Sequence, residues 1–298
     1  MPATTHTFRG RIGPDARHGY YAAPYRYRLY LSLSCPGCLR VAITHGLLGL
    51  GDRMPLVPLP AVPDADGGYA ELRAAYERTA HDYRGPATAP ALVDRWSGRV
   101  VNNHAPDILR DLTTRFAAAG RAGLRPPAAE REIAALAVLC DRDISEAAQR
   151  AGAPGDGGPD GERERAQALR TLLAALAAVE ERLAGRPFLT GDDLTAADVH
   201  LWVTLVQLDT VHRWHLGADA VRRIADHPRL WAYARRLLND PAFGSRLRVD
   251  DIARRHHAHC RGLEAAGAAV RIIDWSAVAT PPVPGPEALA TPAARRPA

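Results

Sequence analysis

The sequence predicts an α/β unit followed by an all-α domain. Two observations carry that reading. From residue 28 to about residue 118, short alternating apolar stretches interleave with helical patterns, and beyond Pro127 every apolar pattern repeats at helical spacing. A chain of 298 residues is long enough for one large or two ordinary domains, and its 47% hydrophobic and 24% charged content is that of a globular protein. All 38 basic residues are arginines, scattered through acidic helices, and the net charge of +5 is modest for this length. No nucleic-acid partner is expected from such a distribution. No apolar run is long enough to cross a membrane, and Met1 to His6 does not open like a secretory signal. Four cysteines without a dense framework suit a reducing compartment, so a cytoplasmic location is expected.

The most informative stretch runs from Arg28 to Arg40. Leu29, Leu31 and Leu33 alternate with Tyr30, Ser32 and Ser34 as in a strand. The alternation stops at Cys35-Pro36-Gly37-Cys38, and Val41, Ile43, Leu47 and Leu48 continue at helical spacing. Proline suits the first turn of a helix, where its missing N–H costs nothing. Cys35 is therefore expected where a strand gives way to a helix N-terminus. Unpaired backbone N–H groups there favour a thiolate and lower the thiol pKa. Cys38, about one turn on, is a candidate to attack a mixed disulfide formed at Cys35. This is the pattern of a thioredoxin-like redox centre. Two plainer readings stand beside it: a pair of packed core thiols, or half of a zinc site. The zinc reading lacks a second Cys-x-x-Cys, since Cys140 and Cys260 are single.

Residues 1–27, rich in tyrosine, are expected to form an extended arm packed on a thioredoxin-like domain spanning 28–120. Met54 to Leu59 reads as a second strand, at an edge because of Pro55 and Pro58. A short helix follows around Leu72 to Arg78. Ala89-Pro90 opens the strand ending at Asp94, and Trp96-Ser97-Gly98-Arg99 turns the chain into Val100-Val101. A helix from about Pro106 to Ala118 closes the unit. In this order of elements, Ala89-Pro90 occupies the place where a thioredoxin-like domain carries a cis-proline; the plain alternative is a trans proline opening an edge strand.

An all-helical domain is expected over 126–265. Its first helix carries Ile133, Leu136, Cys140, Ile144 and Ala147, with Cys140 as core. A Gly/Pro-rich loop spans 151–161, and a second helix carries Leu169 to Leu183. Thr195 with Asp198 forms a capping box opening a helix that is apolar nearly all round, hence central. Helices near Pro228–Leu238 and Val249–Leu263 complete the domain. The Ala/Pro-rich segment 276–298 is expected to be a disordered tail.

A thioredoxin-like unit followed by a helical domain whose buried helix opens with Thr-x-x-Asp resembles the glutathione-transferase fold. Further segments make the chain similar to the xi class, the glutathionyl-hydroquinone reductases. Arg26-Tyr27-Arg28-Leu29-Tyr30-Leu31-Ser32 before Cys35-Pro36 resembles that family's approach to its Cys-Pro-Trp-Ala-His-Arg motif. Val100-Val101-Asn102-Asn103, followed by Asp107 to Arg110, resembles its Ile-Val-Asn-Asn-Glu-Ser segment. Leu208 to Val211 and Asp226 to Tyr233 resemble stretches of its helical domain.

The resemblance implies a thiolate at Cys35 that attacks the sulfur of a glutathionyl-hydroquinone. The hydroquinone leaves, a mixed disulfide remains, and a second thiol releases the enzyme. It also implies that Pro36, Tyr69, Ala89, Pro90, Asn103 and His104 bind the thiol cofactor. Arg40 would hold the site, and His212, His256 and His257 would face the acceptor, imidazoles replacing phenols as proton donors. The expected cofactor is glutathione or another low-molecular-weight thiol such as mycothiol, with no metal. The expected partners are a small electrophile or thiol adduct and a second copy of the chain in a homodimer.

The sequence departs from the family pattern at Gly37, Cys38 and Leu39, which replace Trp, Ala and His. It departs again at His104-Ala105, which replaces the Glu-Ser pair that grips the γ-glutamyl end. Alternatives to the reductase reading are a tailoring enzyme of secondary metabolism and a non-catalytic binding module. For the histidines, a metal pair of His256 with Cys260 and a merely solvated polar helix are the alternatives.

Overall fold

The computed structural model describes residues 7–116, 123–154, 158–260 and 264–275. The first unit is a four-stranded sheet in the order β2-β1-β3-β4, built from β1 (Tyr27–Leu31), β2 (Leu56–Pro58), β3 (Ala91–Asp94) and β4 (Val100–Asn102). β1 pairs in parallel with β2 and antiparallel with β3, and β3 runs antiparallel to β4. Helix α1 (Pro36–Leu47) provides the crossover from β1 to β2, and α2 (Ala70–Thr79) links β2 to β3. Helix α3 (Ala105–Arg115) follows β4 and packs beside α1 over a core containing Leu29, Cys38, Val41, Leu92 and Ile108.

β2 lies at the sheet edge, where Pro58 costs the ladder nothing. β3, by contrast, lies inside the sheet with all four residues buried, and the Ala89–Pro90 peptide just before it is cis. The arm is stitched along the outer edge of β4. Arg9 bridges Asn102, and the Ile12 amide donates to Asp111 Oδ2 at 2.9 Å. Arg26 secures the other end of the arm: it donates to Asp94 at 3.0 Å and lies against the rings of Tyr20, Tyr21, Tyr27 and Trp96.

The second unit is helical. The helix foreseen over Ile133–Ala147 is continuous but not uniform: α4 (Glu130–Val138) passes through a π-helical stretch, Leu139–Glu146, into α5 (Ala147–Ala151). The wider turn still leaves Cys140 and Ile144 buried. Then come α6 (Pro159–Arg182), α7 (Ala196–Thr210), a 3-10 turn over His212–His215, α8 (Ala218–Ala225), α9 (Pro228–Leu238), α10 (Pro241–Gly244) and α11 (Val249–His259). The short helices α8 and α10 carry too few residues to show a repeat in the sequence. Segment 276–298 lies outside the described residues.

Helix α7 is the axis of this domain. Thr195 and Asp198 form the reciprocal capping box, and Asp198 Oδ1 also accepts from the Leu189 amide and the Tyr233 hydroxyl. A buried carboxylate is thus fully partnered at the end of the helix where negative charge is favoured. Trp202 and its apolar neighbours make α7 the centre of the larger core, which also takes in Leu39 and Ile43 of α1. One hydrophobic core therefore runs across both units and holds α1 against α7.

Candidate active site

Ser32 and Ser34 fix the approach to the site. Ser32 donates to the Pro60 carbonyl at 2.8 Å and Ser34 to the Ala61 carbonyl at 2.6 Å, so the loop after β1 is tied to the chain leaving β2. Cys35 follows as the N-cap of α1, with Pro36 in the first turn. It is half-buried, and its sulfur receives hydrogen bonds from the Cys38 thiol and from the backbone amides of Cys38 and Gly37. The Cys38 thiol is the largest influence; together with the amides and the positive charge of Arg255, it outweighs burial and brings the Cys35 pKa down to about 6. At pH 7 about 90% of such a thiol is ionised. Cys38 moves the opposite way. Burial first, then its role as donor to the Cys35 sulfur, push its thiol well above the ordinary range. The two cysteines are unpaired, one a thiolate and the other its proton-bearing neighbour.

Pro90 and Ala105 complete the surroundings. A side-chain carbon added at Gly37 would lie 3.2 Å from Ala105 Cβ and 3.9 Å from both Cys35 Sγ and Pro90 Cδ. The cis Ala89–Pro90 turn therefore stands beside the thiolate, and the small residues Gly37 and Ala105 keep the space in front of it open. Arg255, from α11, donates to the Tyr69 hydroxyl at 3.0 Å. The charge that favours the thiolate comes from one domain and is steadied by a tyrosine of the other.

Comparison with known proteins bears directly on this arrangement. The chain is 30% identical to the glutathionyl-hydroquinone reductase YqjG of Escherichia coli over 272 residues, covering 84% of this chain and 80% of that protein. The chain belongs to the glutathionyl-hydroquinone reductase family. It is 32% identical over 237 residues to the glutathionyl-hydroquinone reductase PcpF of Sphingobium chlorophenolicum, covering 74% of this chain and 73% of that one. Residues 160–236 match the family model for the glutathione S-transferase C-terminal domain. The glutathione-bound structure of the Escherichia coli protein superposes with a TM-score of 0.69 at 26% identity, covering 84% of this chain and 87% of that one. The fold is accordingly that of a glutathione transferase, and the chain is an enzyme of the glutathionyl-hydroquinone reductase kind.

Several of the expected site residues also make contacts within the fold. Asn103 braces the arm: its side chain accepts from the Phe8 amide at 2.8 Å and donates to the Tyr76 hydroxyl at 3.0 Å. Its neighbour Asn102 accepts from the His104 amide at 2.7 Å and so shapes the start of α3. His104 is the N-cap of that helix, with its ring 3.5 Å from Asp107. Tyr69, read as a cofactor contact, is buried and bonded to Arg255. Arg40 donates to Asp141 at 3.4 Å and Thr204 at 3.5 Å, and so pins α1 to the helical domain.

The histidines are divided. His212 and His256 line a cavity of about 650 Å³ together with His215, His259 and Cys260. Among the described residues its lining comes entirely from the helical domain. Burial pushes the His212 pKa down to about 4, with the nearby His215 and His256 adding to the effect. His257 is exposed and meets the edge of Trp214, ring centroids 5.7 Å apart. Two relevant residues, Arg255 and His215, carry no local sequence signal beyond their place in basic, His-rich runs.

Proposed function

We propose that the enzyme is a thiol-dependent reductase that removes a thiol from adducts of quinone-like or related electrophilic molecules through a mixed disulfide at Cys35. The single observation that carries this reading is the half-buried Cys35 at the N-terminus of α1 with its pKa lowered to about 6. The thiolate attacks the sulfur of the adduct, an S–S bond forms, and the carbon–sulfur bond breaks. Its electron pair stays on the aromatic carbon and is taken up by a proton, which releases the hydroquinone.

The relatives' names and the glutathione-bound homologue support glutathione as the cofactor, seated along Ala89-Pro90. His104-Ala105 weakens the grip on the γ-glutamyl end by on the order of 1.5–3 kcal/mol per lost hydrogen bond to a charged group. A thiol without that end, such as mycothiol, is the second candidate.

Cys38 gives the cycle a second exit. Its pKa is held up partly by its bond to the Cys35 sulfur and by the charge there. Once Cys35 is capped as a disulfide, both of those influences vanish and Cys38 ionises more readily. It then attacks Cys35 Sγ, expels the small thiol and leaves an internal disulfide, which two further equivalents of thiol reduce. A homodimer in a reducing cytoplasm completes the proposal.

The test is single-turnover reaction with a glutathionyl-hydroquinone, followed by hydroquinone release and intact-protein mass spectrometry. The expected result is a glutathione adduct on Cys35 that persists in Cys38→Ser and decays to an internal disulfide in the wild type. Hydroquinone release by Cys35→Ser at the wild-type rate would overturn the reading.

A further inference from the structure

The cavity of the helical domain holds a second cysteine site, which the reductase reading does not use. His215 lies at the end of the 3-10 turn after α7, His256 near the end of α11, and Cys260 is the C-cap of α11. One donor atom from each of the three lies within 4.8 Å of the others. His215 Nε2 is 3.2 Å from His256 Nε2 and 3.6 Å from Cys260 Sγ. These separations are informative because a tetrahedral zinc ion fixes them. Zn–N bonds of about 2.05 Å and a Zn–S bond of about 2.3 Å place two nitrogens about 3.4 Å apart and a nitrogen about 3.6 Å from sulfur.

His215 Nε2 has a single in-plane lobe and faces both an imidazole nitrogen and a sulfur. A cation at the common centre satisfies all three. Cys260 sits at the carbonyl end of a helix, with its amide donating to the His256 carbonyl at 2.8 Å. That end of a helix favours a cation.

The backbone carrying His215 is rigidly placed. The Ala265 amide donates to the Trp214 carbonyl at 2.7 Å, and the Gly267 amide to the Leu216 carbonyl at 2.9 Å. Gly152, at the end of α5, approaches so closely that a Cβ there would lie 2.7 Å from His215 Cβ. Two glycines thus let neighbouring chain close on the turn from both sides, which is the support a preorganised ligand needs.

We propose that His215, His256 and Cys260 bind a divalent cation of the zinc type, with its fourth coordination position open to the cavity of about 650 Å³. Two imidazoles and a thiolate select a borderline-soft ion over magnesium or calcium. Three protein ligands with an open position is the arrangement that admits water or an anionic oxygen or sulfur donor. Binding transfers one proton, from the Cys260 thiol to solvent, and moves no electrons. The site is independent of the Cys35 chemistry and stands or falls separately from it.

The test uses the full chain stripped with chelator and titrated with Co²⁺ and with Zn²⁺. The expected result is one equivalent per chain, a sulfur-to-cobalt charge-transfer band, and a zinc X-ray absorption shell of one sulfur and three nitrogen or oxygen donors, two of them imidazole. Cys260→Ser removes the band, and His215→Ala or His256→Ala weakens zinc binding by on the order of 100-fold. The double variant Cys35→Ser/Cys38→Ser, which lacks the other thiol pair, binds as the wild type does. Absence of stoichiometric binding, a sulfur-rich shell, or loss of binding in the double variant would each overturn the proposal. The absorption shell of the wild-type protein decides the matter even where a variant fails to fold.

Discussion

Cys35 and Cys260 are both half-buried thiols at helix ends, and the ends are opposite. Cys35 stands at the amide end of α1, where two backbone N–H groups, the Cys38 thiol and a remote arginine favour its anion. Cys260 stands at the carbonyl end of α11, and its neighbours include the imidazoles of His215 and His256, which can themselves be ligands. The same atom is therefore suited to two chemistries. At the first site the protein supplies the positive field and leaves the sulfur free to attack. At the second, the positive charge has to come from a bound cation, which then occupies the sulfur. The difference rests on backbone polarity before any side chain is counted.

The most severe way to break this comparison is to remove the nucleophile. Cys35→Ser is expected to lower hydroquinone release on the order of a thousandfold or more, because a serine hydroxyl in the same place stays protonated. Cys260→Ser should leave the Cys35 alkylation profile unchanged, and a matching loss of Cys35 reactivity there would show that the two sites are one.

Next in size is the effect of the donor at Cys38. In the wild type, the rate of Cys35 alkylation by iodoacetamide should rise through a midpoint near pH 6 and level off above pH 7. A lowered pKa means that the thiolate is lost as pH falls through 6, so activity disappears on the acid side. Cys38→Ala removes a hydrogen bond to the anion and should move the midpoint up by about one pH unit or more, cutting the rate at pH 6 about fivefold or more. Cys38→Ser keeps an O–H donor and should fall between the two. Above pH 9 the order should reverse, since the more basic thiolate is the better nucleophile once formed. A midpoint unmoved in Cys38→Ala would show that the helix end alone holds the thiolate.

How much of this was legible in the sequence follows the same division. The Cys35 corner is built from neighbours in the chain: a strand, a proline in the first helical turn and a thiol one turn on all leave local marks. The same is true of α7, whose capping box and unbroken apolar surface are contiguous in sequence. Arg255 is different. It reads as one more cation on a polar helix, and its influence on Cys35 exists only in the fold, where it also donates to Tyr69 of the other domain. His215 likewise meets Cys260 only through the fold, and the His256-x-x-x-Cys260 spacing suggests two ligands without a third. Arg40, expected to hold the site, reaches Asp141 and Thr204 of the helical domain, partners that the fold alone brings to it.

The smallest expected effect is also the one that separates field from contact. Arg255 acts on Cys35 as a charge at a distance, whereas Cys38 acts through a bond. Arg255→Gln removes the charge while keeping a polar side chain, and should slow Cys35 alkylation at pH 6 by roughly two- to threefold. Tyr69→Phe leaves the charge but frees the side chain that carries it, so its effect should be smaller still. Salt sorts the two mechanisms. Mobile ions screen a field across a half-exposed cleft, with a Debye length of about 3 Å at 1 M, but they do not screen a hydrogen bond. Raising the salt to 1 M should therefore erase most of the difference between wild type and Arg255→Gln, while the gap between wild type and Cys38→Ala persists. If instead both gaps close together, Cys38 influences Cys35 through the surrounding field rather than as a donor, and the thiolate belongs to the cleft as a whole.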